Sequence, residues 1–228
     1  MAQSANIKRI VCFANSRKLN GRCIAGKEIL EDGKIGGWVR PVSARESEDV
    51  SEDERRYEDS SDPCVLDIID VPVLSPRPKN FQQENWLLDP NRRWTRINRV
   101  GEKARPLFTD ADEMLWINGH HSNRGWNDRI PFPDASLLDT SLKLIKVESL
   151  RVSVSEPYKS TSTHPELRGH FNYNGCDYSL RITDADVESR VNDLDYGNYS
   201  VGERFLTISL AEPFEGYSYK LIAAIIKP

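Results

Sequence analysis

Short apolar runs separated by turn residues dominate the hydrophobic pattern of the chain, and they predict strands rather than long helices. The first third contains four such runs, rich in Val, Ile and other strand formers: Ile7–Ala14, Gly21–Leu30, Gly37–Val42 and Val65–Leu74. Asp32 and Gly33 separate the second run from the third and have the chemistry of a hairpin turn. The pattern predicts a mostly antiparallel meander of short strands, as in a barrel or a sandwich.

The last third shows the same kind of pattern without repeating the sequence. Leu142–Val154 predicts one or two strands. In the segment FNYNGCDYSLRI, Asn174-Gly175 lies between two alternating runs, which is the strongest hairpin signal in the chain. The ending FLTISLAEPFEGYSYKLIAAIIK predicts two further strands, joined through Pro213 and Gly216. A second small β unit is therefore expected to begin near residue 141.

Three short segments have helix-start signals. Ser51 and Glu54 have capping-box spacing inside an acidic segment, which predicts either a short helix or a loop. The segment TDADEMLWING begins at Thr109 and ends at Gly119, which predicts one compact helix with a cap at both ends. Thr183 is predicted to cap a third helix that extends through about Asn192.

Charge is distributed unevenly along the chain, although the formal net charge is only −4. Arg45–Asp62 contains nine acids against three arginines, whereas Arg77–Arg105 contains eight basic residues against three acids. Because binding depends on the local potential, the second stretch is a candidate anion-binding segment despite the acidic whole. The alternative is that both stretches are solvated surface.

Composition and cysteine usage define the expected compartment. No apolar stretch approaches the ~20 residues that cross a bilayer, and the beginning of the chain has no apolar signal core, so a cytoplasmic protein without a membrane partner is expected. The cysteines do not form a CxxC pair and are too scattered for a disulfide framework. Cys12, Cys23, Cys64 and Cys176 are therefore expected to be reduced and mostly buried thiols.

Two segments of this chain carry a resemblance to a known family. The first is CFANSRKLNGRCIAGKE with GGWVRPVS downstream, and the second is the ending SLRITD…LTISLAEPFEGYSYKLIAAII. Both resemble the bacterial family described as dual OB-containing proteins. The resemblance implies two oligonucleotide/oligosaccharide-binding (OB) barrels in tandem, a fold associated with nucleic acids and other ligands. It implies no particular site residue, so residue roles come from side-chain chemistry alone.

The expected fold is mainly β with short helices, and it consists of two consecutive OB-like barrels. The first domain is predicted to span residues 1–140 and the second residues 141–228. An acidic loop at about 43–62 and a Trp- and Arg-rich insertion at about 75–133 belong to the first domain in this prediction.

OB barrels bind strands across one open face, where basic residues meet phosphates and aromatic rings stack on bases. The expected function is therefore non-enzymatic recognition of DNA or RNA, single-stranded or structured, on the first barrel, with affinity that falls steeply with salt. The candidate ligand-binding residues are Asn15, Ser16, Lys18, Arg22, Trp38, Arg40, Arg93, Trp94 and Arg96. Trp38 is as consistent with a core position as with base stacking, and Arg40 is alternatively a partner for a carboxylate of the acidic loop.

Two other functions stay open at this point. One is a sensor or adaptor that binds a nucleotide-like small molecule or a protein partner. The other is a hydrolase or transferase that uses Lys18 and Arg22 with His120 and His121. The chain lacks the GxxxxGK[ST] phosphate loop, and its histidines lack HxH or HExxH spacing, so neither a catalytic residue, a cofactor nor a metal is predicted. The histidine pair is better explained as a cap at the end of the predicted helix.

Overall fold

A computed structural model describes residues 6–111, 113–157, 164–191 and 194–228. Strands predominate and the helices are short. The strands are β1 (Asn6–Lys18), β2 (Gly21–Ile29), β3 (Ile35–Val42), β4 (Asp67–Pro76), β5 (Asn85–Leu88), β6 (Thr95–Arg99), β7 (Arg129–Pro131), β8 (Leu142–Ser155), β9 (Glu166–Tyr173), β10 (Cys176–Ile182), β11 (Gly197–Leu210) and β12 (Tyr217–Ile226). The α-helices are α1 (Glu52–Arg55), α2 (Phe132–Ala135) and α3 (Ala185–Arg190), and Glu102–Phe108 is a 3-10 helix.

The chain forms two compact units. One contains Met1–Phe108 with Asp139–Ser141, and the other contains Thr109–Leu138 with Leu142–Pro228. The segment predicted as one insertion at 75–133 therefore supplies elements to both units, because β5 completes the first sheet whereas β7 pairs with β12 in the second. The predicted division of the chain into domains at 1–140 and 141–228 stays a prediction.

The first unit is a closed sheet with OB-type connections. Its hydrogen-bonded order β1-β2-β3-β5-β4 returns to β1, and β6 pairs with the first half of β4, along the same edge as β5. The first three strands are consecutive and antiparallel, whereas β3 pairs with β5 in parallel. The buried side chains inside this barrel include Ile10, Cys12, Ile24, Val39, Ile69, Val71, Val73, Leu88 and Trp94.

The second unit repeats this topology. The order β8-β9-β10-β12-β11 returns to β8, and β10 pairs with β12 in parallel, as β3 does with β5. A short helix follows the third strand in both units: α1 after β3 and α3 after β10. The apolar core includes Ile145, Leu150, Leu167, Phe171, Tyr178, Leu180, Leu206, Ile208 and Ile222. Two five-stranded barrels closed in the same order confirm the predicted tandem OB-like architecture.

Both predicted hairpin turns are confirmed, because each has residues that accept a positive φ. Gly33 has φ of 80° in the turn between β2 and β3, and Asn174 and Gly175 have φ of 49° and 80° between β9 and β10. The capping box is also confirmed: the Ser51 side chain accepts a hydrogen bond from the Glu54 amide, and the Glu54 side chain accepts one from the Ser51 amide.

The predicted helix over 109–119 is wrong for the described residues. Trp116 has φ of 57° and Gly119 has φ of 96°, which interrupt a right-handed helix. The backbone of this segment bonds to the barrel instead: the Asp110 amide donates to the Leu144 carbonyl, and the Leu115 amide donates to the Tyr178 hydroxyl. A helix of about ten residues has little intrinsic stability, so burial of Leu115 in the core determines the conformation.

Two smaller expectations change. The cap of α3 is Asp184 rather than Thr183, because the Asp184 carboxylate accepts from the amides of Asp186 and Val187. The predicted end near Asn192 lies outside the described residues.

All four cysteines are free, as expected, but only Cys12 is buried and Cys64 is exposed. The expectation of mostly buried thiols is therefore correct for Cys12 alone.

No helix in the part of the chain that the structure describes has the length and apolar character needed to cross a membrane.

Candidate nucleic-acid interface

The hairpin of β1 and β2 brings together four of the sequence-predicted ligand residues. Arg17 pairs with Arg22 across the two strands, and Lys18 pairs with Gly21 beside the turn. The main chain of Arg22 is fixed by two hydrogen bonds to Val50. Asn15 and Ser16 lie nearer the barrel, where they donate to the carbonyls of Pro63 and Cys23. The basic hairpin tip, defined as Arg17, Lys18 and Arg22, therefore has the chemistry of a phosphate contact.

Arg40 does not belong to a binding surface. It is 4% exposed, and its Nη2 donates to Glu84 Oε1 at 2.5 Å and to the Ser141 hydroxyl. The Ser141 hydroxyl in turn donates to the same Glu84 oxygen. The sequence-based alternative of a carboxylate partner is correct in kind, but Glu84 directly precedes β5 and is not part of the acidic loop. This buried pairing leaves the guanidinium no surface for a ligand.

The two predicted tryptophans differ in their surroundings. Trp94 is 0% exposed and packs in the first core, so base stacking on it is excluded in this conformation. Trp38 is half-buried on β3, where its ring meets the edge of Phe13 at 6.3 Å between centroids and the ammonium group of Lys27 at 5.4 Å from the centroid. Trp94 therefore offers no surface for stacking on a base, and Trp38 offers only the exposed part of its ring.

The acidic and basic stretches of the first unit contact each other in space, through two ion pairs and one hydrogen bond to a main-chain carbonyl. Arg93 donates to the Asp53 carbonyl at 2.7 Å, and Arg96 lies 3.7 Å from Asp59. Farther along, Lys79 pairs with Glu48 at 3.0 Å. Because these cations are bonded to the acidic loop, the charge reversal in the sequence does not produce an equally strong basic surface.

A second candidate surface lies on the outside of β8, β9 and β10. Its outward positions alternate with the core positions of the same strands, so Arg151, His170 and Ser179 stand side by side across the three strands. These positions and their neighbours surround a depression of about 600 Å³. We call it the tryptophan face, and it is lined by Trp126, Ser149, Arg151, His170, Phe171, Asn172, Asp177, Tyr178, Ser179 and Ser200.

Trp126 provides this face with an aromatic platform. It is 53% exposed, and one side of its indole stacks on His121 with 3.9 Å between centroids and 11° between planes. Two main-chain hydrogen bonds with Ser179, of 3.2 and 3.0 Å, hold it against β10. The half-exposed ring is thus pre-positioned, which lowers the entropy cost of stacking on a ligand.

The turn that carries Trp126 is held by polar side chains. His121 Nδ1 accepts a hydrogen bond from the Asn127 amide at 2.8 Å, so the ring cannot be the helix cap that the sequence predicted. The Asn127 side chain accepts from the Gly119 amide and donates to the Asp177 carbonyl. The buried Asp128 carboxylate accepts from the amide and the hydroxyl of Ser122. These bonds fix the loop between Gly119 and Asp128.

His170 acts on this face as a hydrogen-bonding group rather than as a cation. Its pKa is lowered, first by burial and then by the positive charges of Arg151 and Arg168. The ring is therefore neutral at pH 7, and its Nε2 lies 2.8 Å from the Ser153 hydroxyl. Arg151 is exposed, and its guanidinium donates to the Asn198 side chain at 3.1 Å.

Lys220 is a buried lysine of the second unit with a strongly shifted pKa. It is 1% exposed, and its ammonium group donates to the Ile117 carbonyl at 2.6 Å and to Asn118 Oδ1 at 3.0 Å. Burial lowers its pKa to about 7, while Asp128 acts in the opposite direction. An unfolded lysine has a pKa of about 10.4, so between these values the unfolded chain binds more protons than the folded one.

We expect the stability of the wild type, relative to a Lys220→Met variant, to increase from pH 7 to pH 10. The gain is at most about 1.4 kcal/mol per pH unit, because one proton is released on folding in this range. Urea unfolding of both proteins at several pH values measures it. Lys146→Met, which removes an exposed partner of Glu203, is the matched control: it retains Lys220, so its stability relative to the wild type should not change between pH 7 and pH 10. Equal pH profiles for the wild type and Lys220→Met would contradict this prediction.

The four residues of the enzymatic alternative do not come together within either unit. Lys18 and Arg22 belong to the first unit, whereas His120 and His121 belong to the second. Within the described ranges, no group of three or more His, Cys, Asp or Glu side chains is arranged to hold a metal ion.

Comparison with known proteins gives one finding on ancestry. The model of a family described as "Dual OB-containing domain" matches residues 8–225, which is nearly the whole chain. Neither the curated proteins nor the solved structures include a significant match.

Proposed function

Because this chain belongs to the family of dual OB-containing domains, we propose that it is a non-catalytic module that binds single-stranded nucleic acid through the tryptophan face of its second barrel. The observation that carries the proposal is the half-exposed, pre-positioned Trp126 on the outside of β9 and β10. These strands correspond to the second and third strands of an OB barrel, whose outer surface is where such barrels bind oligonucleotides.

The chemistry of the tryptophan face fits a strand of unpaired bases. An indole accepts any base as a stacking partner, which favours binding without strong sequence preference. Around it, Arg151 is suited to a phosphate, and the side chains of His170, Asn172 and Ser149 are suited to base edges and sugar hydroxyls. A duplex offers no unstacked base to the ring, so single strands are the favoured ligand.

Electrostatics contributes modestly on this face. Asp177 lines the same depression as Arg151, so the depression carries a negative charge as well as a positive one. We therefore expect a shallower dependence on salt than the basic sequence stretch alone predicted. For single strands, the slope of log K against log salt is about −0.7 for each phosphate that is neutralised.

The test is fluorescence anisotropy with labelled single-stranded DNA and RNA of about 12 nucleotides, a length within the range that OB folds cover. We expect both to bind the wild type, and Arg151→Ala to reduce the magnitude of the salt slope by about 0.7. Arg190→Ala is the matched control, because Arg190 is an exposed arginine that pairs with Asp186 on α3. Absence of binding at low salt, with folding verified by circular dichroism, would overturn the proposal.

The basic hairpin tip of the first barrel stays a proposed second contact. A Lys18→Ala/Arg22→Ala variant tests it in the same salt series. If this variant loses binding and Arg151→Ala does not, the interface belongs to the first barrel, as the sequence predicted, and the assignment to the tryptophan face is wrong.

A further inference from the structure

A second depression of the same barrel shares no lining residue with the tryptophan face. It has a volume of about 480 Å³ and lies among β9, β10, β12 and the loops at 122–128 and 211–216. We call it the β12 pocket, and the residues that matter here are Arg124, Arg168, Arg181, Phe214, Glu215 and Tyr219. Its volume is within the range of small-molecule sites in proteins, about 300–1,000 Å³.

The inner wall of the β12 pocket is charge-balanced. Glu166 accepts from Arg124 at 2.8 Å and from Arg168 at 2.8 Å, and both its oxygens are used. Arg168 also lies 3.6 Å from the buried Asp128 carboxylate and donates to the Ser179 carbonyl. Two carboxylates are thus matched by two guanidinium groups. Lys220 also lines the pocket, but its ammonium group is buried and bonded to the Ile117 carbonyl and to Asn118, so this wall attracts an anion only weakly.

Arg181 adds an uncompensated cation to the pocket. It is exposed on β10, in register with Arg168 on β9 and with Leu221 on β12. Among the residues that the structure describes, its side chain has no ion-pair or hydrogen-bond partner, unlike Arg124 and Arg168. Glu215 lies on the exposed rim, where solvent and salt screen its charge. An exposed guanidinium of this kind is suited to bidentate contact with a phosphate.

Aromatic side chains form another part of the pocket. Phe214 is 58% exposed, and two main-chain hydrogen bonds with Tyr217, of 2.8 and 3.1 Å, fix its position. Glu215 and Gly216, both with positive φ, form the tight turn between them. Tyr219 is half-buried on β12. An exposed phenyl ring held by its own turn is a second stacking platform on this barrel.

We propose that the β12 pocket binds a nucleoside monophosphate unit, with Phe214 stacking on the base and Arg181 contacting the phosphate. Two sources offer this chemistry: a free nucleotide and the 5′-phosphorylated end of a strand. The strand-end source rests on the proposed function, whereas the free nucleotide does not. Either source gives the barrel a ligand-recognition site beyond its tryptophan face.

The experiment measures binding of AMP, adenosine and inorganic phosphate by calorimetry to the wild type and to Arg181→Ala, Phe214→Ala and Glu215→Gln. We expect AMP to bind at least tenfold more tightly than adenosine, and each of the first two variants to weaken AMP at least tenfold. Glu215→Gln should strengthen AMP two- to threefold, because it removes the rim carboxylate. Arg190→Ala is the control that should leave AMP binding unchanged. Failure of AMP to bind at millimolar concentration, or equal binding by Arg181→Ala, would overturn the proposal.

Oligonucleotides with and without a 5′-phosphate distinguish the two sources. A phosphate-dependent gain that AMP competes away assigns the pocket to strand ends, and AMP binding without such a gain assigns it to free nucleotides. If unphosphorylated strands bind through Trp126 but neither AMP nor the 5′-phosphate has any effect, the pocket proposal fails while the proposed function stands. If AMP binds through Arg181 and strands do not bind, the pocket proposal stands and the proposed function fails.

Discussion

Replacing Arg40 with alanine will lower the free energy of unfolding by about 3–5 kcal/mol, because it leaves the Glu84 carboxylate buried without its cation. The side chains of Arg40 and Glu84 are 5% and 4% exposed, so water cannot substitute for the missing partner. The main chains of the two residues are also joined, since the Arg40 amide donates to the Glu84 carbonyl at 2.8 Å. The pair therefore ties β3 to the chain that enters β5. Urea or thermal unfolding measures the loss.

A double variant separates lost charge compensation from lost packing. Arg40→Met/Glu84→Leu removes both charges while retaining apolar volume, and it should recover more than half of the stability lost in Arg40→Ala. Arg190→Ala is a matched control, because Arg190 pairs with Asp186 at 2.9 Å while both side chains are exposed, and its loss should cost about 1 kcal/mol or less. If the double variant is as unstable as Arg40→Ala, the loss does not come from an unpaired Glu84 carboxylate, and the specific polar contacts of the guanidinium, including the one to the Ser141 hydroxyl, account for it.

Local chemistry explains which elements the sequence predicted correctly. Asp32-Gly33 and Asn174-Gly175 determine their turns without help from distant residues, since few residues accept a positive φ. The capping box at Ser51 is equally local. The helix predicted over 109–119 failed because the preference of this segment is weak, and its backbone finds partners on a barrel that lies far away in sequence.

The candidate site was harder to predict, because a linear charge pattern does not show which charges meet. Arg93 and Arg96 lie in the most basic stretch, yet both bond to the acidic loop. Charged neighbours in sequence make Trp94 a stacking candidate, but the residue directly precedes β6, forms a bridge with Tyr57 and packs in the first core. This burial depends on contacts between segments that are distant in sequence, and only the folded barrel brings them together.

Trp126 is not among the predicted ligand-binding residues, although its neighbours in the sequence indicate an exposed position. It lies in the run HHSNRGWNDR, where every neighbour is polar or a glycine, so no apolar pattern predicts a core position for it. The position of its ring follows from the fold, because the bridge to Ser179 places the ring on the outer face of the sheet beside β10. Neither the bridge nor the stacking on His121 is visible in the spacing of residues.

Replacing Trp126 with alanine should weaken binding of single-stranded oligonucleotides about 5- to 150-fold, which corresponds to one stacked base at about 1–3 kcal/mol. The loss should be nearly the same at low and high salt, since the indole carries no charge. Trp126→Phe should retain part of the affinity, because a phenyl ring still stacks. His121→Ala should have a smaller effect, because it removes the support behind the indole but not the stacking surface itself.

The salt dependence of these variants decides between two origins of affinity. If stacking dominates, Trp126→Ala lowers affinity at every salt concentration without changing the slope, whereas Arg151→Ala changes the slope. Trp94 is unsuitable as a control because its removal would leave a large cavity in the first core. Trp38, a half-buried residue of β3, provides the matched aromatic control as Trp38→Ala. If Trp38→Ala weakens oligonucleotide binding and Trp126→Ala does not, bases stack on the first barrel, and the exposed indole of the second barrel serves another partner.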